Sequence, residues 1–145
     1  MMKEILVAVD GSKHSEKVVD YATDLAKSMS ARIVLVYVMP KIVVPEEYRQ
    51  YAEEERLDPS GYFEAVGERI TAQLGRRVEK KGVEHEGIYK TGNPAAKILE
   101  IAESKTVSMI VVGLHGLHGL ARIRAMGSTA RRIIENSTVP VAVVP

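Results

Sequence analysis

The sequence predicts an α/β fold, a parallel sheet with helices on both faces. Three observations carry that prediction. Short apolar, β-branched runs recur along the chain, amphipathic helical stripes separate them, and glycine, proline, serine or asparagine marks the junctions. Strands alternating with such helices imply right-handed crossovers and a doubly wound order.

Residues 5–9, Ile-Leu-Val-Ala-Val, form an unbroken apolar run, as a strand buried on both faces requires. It stops at Asp10-Gly11-Ser12, where Ser12 is placed to cap the following helix. That helix carries Val18, Ala22, Leu25 and Met29 in one stripe. Residues 33–38 form a second strand, ended by Met39-Pro40. Residues 41–60 break the alternation. They are polar and acidic and read as an inserted flap, surface helix or mobile segment whose charges solvate a surface.

The next helix shows Phe63, Val66, Ile70 and Leu74 on one face and ends at Lys81-Gly82. A weaker strand follows at 83–90. Asn93 then caps a third helix that Pro94 opens, with Ala95, Ile98, Leu99 and Ala102 as its apolar face. Residues 107–112 form a fourth strand, 113–126 a glycine-containing connection, 128–136 a short helix and 139–144 a last strand. The pattern fits one domain over 1–145.

The charges nearly cancel, at 20 basic and 19 acidic side chains, so there is no footprint for nucleic acid or an anionic membrane. The absence of cysteine excludes disulfides, zinc–thiolate sites and thiol nucleophiles. The first apolar run is too short for a signal or membrane segment, so a cytoplasmic protein is expected.

Open α/β sheets bind ligands beyond the carboxyl ends of their strands, where the strand order reverses. Two strand ends are unusual here. The first reads Val9-Asp10-Gly11-Ser12. The fourth reads Val112-Gly113-Leu114-His115-Gly116 and leads to Gly127-Ser128-Thr129 at a helix start. Glycines let backbone N–H groups approach an anion, and a helix N-terminus adds partial positive charge. Ser128 and Thr129 add hydroxyls, and Asp10 suits a ribose hydroxyl or Mg²⁺ held through water. There is no Walker A loop and no dinucleotide fingerprint. The same residues also fit a tight turn after the fourth strand and an ordinary hydroxyl cap.

His115 and His118 are spaced His-x-x-His, but without a neighbouring carboxylate they make a poor metal site, and a positioning role for His115 in the loop fits better. His14 and His85 read as surface residues. Ser15, Ser28 and Ser104 carry no cue for nucleophilic activation.

Jointly and in order, these residues resemble the universal stress protein family over nearly the full length. Ile-Leu-Val-Ala-Val-Asp-Gly-Ser at 5–12 is similar to its first strand and turn. Gly92-Asn93-Pro94 is similar to its loop before the third helix. Val111 to Gly116, Gly127-Ser128 and the closing run from Val139 to Val144 are similar to its fourth strand, phosphate loop and last strand. The resemblance implies a five-stranded parallel sheet in the order 3-2-1-4-5, of the adenine nucleotide alpha hydrolase-like kind. It also implies an ATP or AMP site at the junction of strands one and four, with Mg²⁺ accompanying ATP.

Carried over by position, Gly113, Gly116, Gly127, Ser128 and Thr129 would face phosphate, with Val112 and His115 beside them. Asp10 would lie near the ribose and Val38 near the adenine through its backbone, and Val9 also belongs to the expected nucleotide site. The chain departs from the motif once: ten residues separate Gly116 from Gly127, where ATP-binding members have nine. Arg122 and Arg124 lie in that stretch. The resemblance further implies a homodimer through strand 139–144 and a nucleotide-dependent sensor or regulator in stress responses. The alternative is a dimeric protein-interaction module of the same fold that binds no nucleotide and engages an unknown protein partner. An adenylating or ATP-cleaving enzyme on a related fold is a third reading, and the sequence shows no catalytic constellation for it.

Overall fold

The computed structural model describes residues 2–40, 45–56, 61–115 and 126–145. Its elements run β1 (Glu4–Val9), α1 (His14–Met29), β2 (Arg32–Met39), α2 (Glu46–Glu54), α3 (Gly61–Lys80), β3 (His85–Thr91), α4 (Pro94–Lys105), β4 (Met109–Gly113), α5 (Ser128–Asn136) and β5 (Val141–Val144). The strands form one sheet in the order β3-β2-β1-β4-β5, and every pairing is parallel. The expected doubly wound architecture and strand order are both present.

Strand side chains alternate between the two faces. Ile5, Val7, Val9, Ile33, Leu35 and Tyr37 pack with Val18, Val19, Ala22 and Ala26 of α1 and Leu74 and Val78 of α3. Leu6, Val34, Val36, Val38, Ile110 and Val112 pack with Ile98 and Ala102 of α4 and Ala130 and Ile133 of α5. Ile5, Leu6 and Val7 are all fully buried, which is why β1 reads as a continuous apolar run. No helix among the described residues is long and apolar enough to cross a membrane.

The segment at 41–60 contains a surface helix, α2, as one of the expected alternatives. Its Ala52 is fully buried, while Tyr51 is half exposed. Residues 41–44 and 57–60 lie outside the described residues.

Several strand starts differ from the sequence reading. β3 begins at His85 rather than 83, and β4 at Met109 rather than 107. The cause is the way the preceding helices end. Val83 N–H donates to Val78 O and Val107 N–H to Ala102 O, so both valines still close a helical turn. Helix α1 ends likewise, with Ala31 N–H on Ala26 O. The left-handed residues at these ends are Ser30, Gly82 and Thr106, and only the glycine is a sequence signal. β5 begins at Val141, because Pro140 lacks a donor and Val139 N–H is taken by Ser137 Oγ.

Ser12 does not cap α1. Gly11 sits at φ +81°, and the turn brings Ser12 N–H to Asp10 Oδ1 at 2.9 Å. The helix begins at His14 with Lys13 in the cap position and no side-chain cap. Asn93 does cap α4, its Oδ1 accepting from Ala96 N–H at 3.0 Å.

Helix α3 lies on β3 through small residues. A methyl group on Gly67 would stand 2.5 Å from Cβ and Cγ of Tyr89, and one on Gly87 would stand 2.8 Å from Cβ of Thr71. Gly75 faces His85 in the same way. Gly67→Ala should therefore destabilise the fold by about 1–2 kcal/mol in urea unfolding. Overpacking against atoms next to the strand backbone outweighs a helix-propensity gain of about 1 kcal/mol. A more stable variant would show that β3 yields freely.

Charges tie α1 to α3. Arg77 donates to both oxygens of Asp20, at 3.1 and 2.7 Å, and Lys81 reaches Asp24 at 2.8 Å. The Arg77 hydrogen bonds hold the Asp20 carboxyl below its ordinary value of 3.8. The folded form thus binds this proton more weakly than the unfolded chain. The pair's stabilisation is present above the unfolded carboxyl value and is lost as pH falls through the folded one. Asp20 and Arg77 are each more than a third exposed, so screening limits the gain to about 1 kcal/mol or less. Asp20→Asn should cost that amount at neutral pH, and the difference from the natural chain should vanish in acid. Thermal unfolding across the acid range checks this; a difference that persists in acid would exclude the charge as its source.

Candidate functional site

A cavity of about 370 Å³ opens at the carboxyl ends of the strands. That is within the roughly 300–1,000 Å³ typical of small-molecule sites. It lies where β1 has β2 on one side and β4 on the other, the point at which the winding reverses. The sheet order sets out its floor. Val38 lines it at the end of β2 with Pro40 just beyond, Val9 and Asp10 at the end of β1, and Val112 and Gly113 at the end of β4. Strands are spaced about 4.8 Å apart, so β2 and β4 stand about 10 Å apart across β1. Pro94 and Ile98 of α4 add to the apolar wall.

The β4 side is closed by backbone geometry. Leu114 N–H donates to Val144 O, and Gly127 N–H donates to Leu114 O, both at 2.8 Å. The connection after β4 therefore leaves and returns through one hydrogen-bonded neck, which brings Gly127 back to the strand end. Gly127 is the N-cap of α5 and supplies no side-chain cap. Ser128 and Thr129 form the first turn and line the cavity with His115. Neither hydroxyl caps the helix, which excludes the ordinary-cap alternative. The N-terminus of the helix borders the cavity with free N–H groups and its positive end, and Ser128 and Thr129 stand in that first turn, a setting that favours an anion.

Asp10 has a defined hydrogen-bonding frame. Its Oδ1 accepts from Ser12 N–H and from Ser15 Oγ, both at 2.9 Å, while Asp10 N–H donates to Ser15 Oγ at 3.1 Å. Ser15 is buried at the start of α1. Tyr37, also buried, reaches the cavity from the α1 and α3 face. Burial, followed by the neighbouring Tyr62 and Asp10, pushes its phenol pKa up, so it stays a neutral hydroxyl. His14 is half buried, and its Nε2–H donates to Val144 O at 3.1 Å. A methyl group on Gly113 would stand 3.0 Å from the His14 ring, so glycine permits this approach of β4 to α1.

The universal stress protein family model matches residues 1–145. The chain belongs to the universal stress protein family. It is 35% identical to universal stress protein YxiE of Bacillus subtilis over 148 residues, covering 99% of both chains. Among solved structures it matches universal stress protein UspA from Lactobacillus plantarum with a TM-score of 0.80 at 20% identity, covering 99% of this chain and 97% of that one. It also matches the universal stress protein from Archaeoglobus fulgidus in complex with dAMP. That match has a TM-score of 0.65 at 19% identity and covers 100% of this chain and 98% of that one.

In this universal stress protein, Val9, Asp10, Val38, Val112, Gly113, His115, Gly127, Ser128 and Thr129 all line the one cavity. The tenth expected residue, Gly116, lies outside the described residues, as do His118, Arg122 and Arg124. The sequence reading missed His14, Ser15, Tyr37, Pro40, Pro94 and Ile98, which line the same cavity. His14 is not the surface residue expected; the N-terminus of α1 turns it inward against Gly113. His85 is also partly covered, beneath Gly75 of α3. Pro40 carried a usable signal, because a proline ending a strand at the carboxyl edge borders such a site. Pro94 and Ile98 carried none, since they reach the cavity only through the placement of α4 across the sheet.

Proposed function

We propose that this universal stress protein domain binds an adenine nucleotide, ATP or AMP, across the ends of β2, β1 and β4, and works as a nucleotide-dependent sensor or regulator in stress responses. The observation that carries this reading is the cavity itself. It joins an apolar wall, a carboxylate and an uncapped helix N-terminus in that order across the sheet. Adenine suits the wall at Val38, Pro40 and Ile98, and ribose suits Asp10. Phosphate suits the backbone of Gly113 and Gly127 with Ser128 and Thr129. The fold in Archaeoglobus fulgidus holding dAMP is compatible with this reading. With ATP, Mg²⁺ would accompany the phosphates.

Calorimetric titration with ATP–Mg²⁺ and with AMP tests the proposal. Saturable binding of either at one per chain supports it, and no heat up to millimolar concentration of both overturns it.

The same reading includes a homodimer through β5. This strand pairs with β4 alone among the described residues, and Val141 to Val143 are only partly covered. A bare apolar edge invites pairing with another copy. Light scattering should give twice the chain mass of 15.9 kDa. A monomer at working concentration would remove the dimer from the reading.

A further inference from the structure

We propose that Ser15 is a positioning residue for ribose recognition: it fixes the Asp10 carboxylate so that Oδ2 is the oxygen offered to a ligand's hydroxyl groups. This inference rests on the nucleotide reading above.

The hydrogen bonds define the device. Oδ1 of Asp10 accepts two donors, Ser12 N–H and Ser15 Oγ, both at 2.9 Å. A carboxylate oxygen has two lone-pair sites, so Oδ1 is saturated. Among the described residues nothing donates to Oδ2. Ser15 Oγ in turn accepts Asp10 N–H at 3.1 Å. With its acceptor side engaged by that amide, the hydroxyl is directed to give its proton to Oδ1. The loop closes on itself: the backbone of Asp10 orients the serine, and the serine orients the side chain of Asp10.

The burial of Ser15 matters. At 3% exposed, it is shielded from competing water, so its hydroxyl has little alternative to Asp10. Rotation about the terminal torsion of an aspartate is otherwise broad. Without the serine, Oδ1 keeps only one donor and the carboxylate turns more freely. A ligand hydroxyl pair would then meet an acceptor that has still to be ordered. Asp10 lines the cavity between the wall at Val38 and the glycines of β4 and α5, where a sugar joining base to phosphate would lie.

The test compares ATP–Mg²⁺ with 2′,3′-dideoxy-ATP–Mg²⁺ by calorimetry on the natural chain and on Ser15→Ala. AMP and 2′,3′-dideoxy-AMP serve as a second pair. The natural chain should prefer the hydroxylated nucleotide by about tenfold or more, as hydrogen bonds to a charged group imply. Ser15→Ala should shrink that preference to about threefold or less while leaving dideoxy affinity within about twofold. An unchanged preference overturns the inference. So does equal weakening of both nucleotides, which is what a merely structural role gives. Should Ser15→Ala lose its fold, Ser15→Cys, a similar size with a weak donor, is measured instead against the same expectations. Failure of the natural chain to bind any of the four defeats the nucleotide reading itself. Equal binding of each pair by the natural chain leaves that reading standing and defeats this inference alone.

Discussion

Asp10→Ala should weaken adenine nucleotide binding by about 10- to 100-fold, the loss expected when a carboxylate that accepts ligand hydroxyls is removed. Asp10 stands at the end of the central strand, between the apolar wall and the helix N-terminus. The substitution also deprives Ser12 N–H and Ser15 Oγ of their acceptor. Asp10→Asn separates the two effects. It keeps an Oδ1 acceptor for the turn and replaces the second oxygen with an amide donor. The alanine variant should lose affinity and some thermal stability. The asparagine variant should lose affinity with stability nearly kept. Calorimetric titration and thermal melts of both variants check this. Full affinity in Asp10→Ala would move the ribose elsewhere in the cavity or out of it.

Leu6→Ala should cost about 2–5 kcal/mol of stability, the range for emptying a buried leucine site. Leu6 is fully buried in β1, the middle strand, and packs in the cluster that holds Val34, Ile98, Ile110 and Ile133. Helices α4 and α5 cover that face, so the removed side chain leaves a cavity that neighbouring strands cannot readily close. A chain of this size should melt about 10 °C lower. Chemical denaturation measures the cost. A loss below about 1 kcal/mol would show that the α4 and α5 face collapses onto the gap. The same face carries Val38, Val112 and Ala130 to the cavity rim.

The layout of the fold was readable because a strand buried on both faces has no choice but a continuous apolar run, as at 5–9 and 33–38. The ends of elements were less readable. Ser30 and Thr106 terminate helices in the left-handed region without the glycine that usually marks it. Val83 and Val107 have strand-like identities but complete helical turns. The site divides along the same line. Asp10, Gly113, Gly127, Ser128 and Thr129 are polar or glycine residues at strand ends and a helix start, where an apolar pattern stops. His14 and Ser15 fall within an ordinary amphipathic helix start, and Tyr37 within an apolar strand. Ile98 looks like any core position of α4. Only the three-dimensional crossing of α1 over the end of β4, and of α4 over the end of β2, makes them cavity walls. Ser15 shows the limit well: its neighbours in sequence say nothing of Asp10, yet the turn at Gly11 brings the two into contact.

The site itself is tested most directly by amide chemical shifts of the isotope-labelled protein during titration with AMP and with ATP–Mg²⁺. Binding where the cavity lies predicts the largest saturable shifts at the backbone amides of Asp10, Gly113, Gly127, Ser128 and Thr129, with smaller ones at Val38. The amides of β3 and the amino ends of the strands should stay still. Shifts confined to another surface, or none with either nucleotide at millimolar concentration, would contradict a nucleotide site at the ends of β1 and β4.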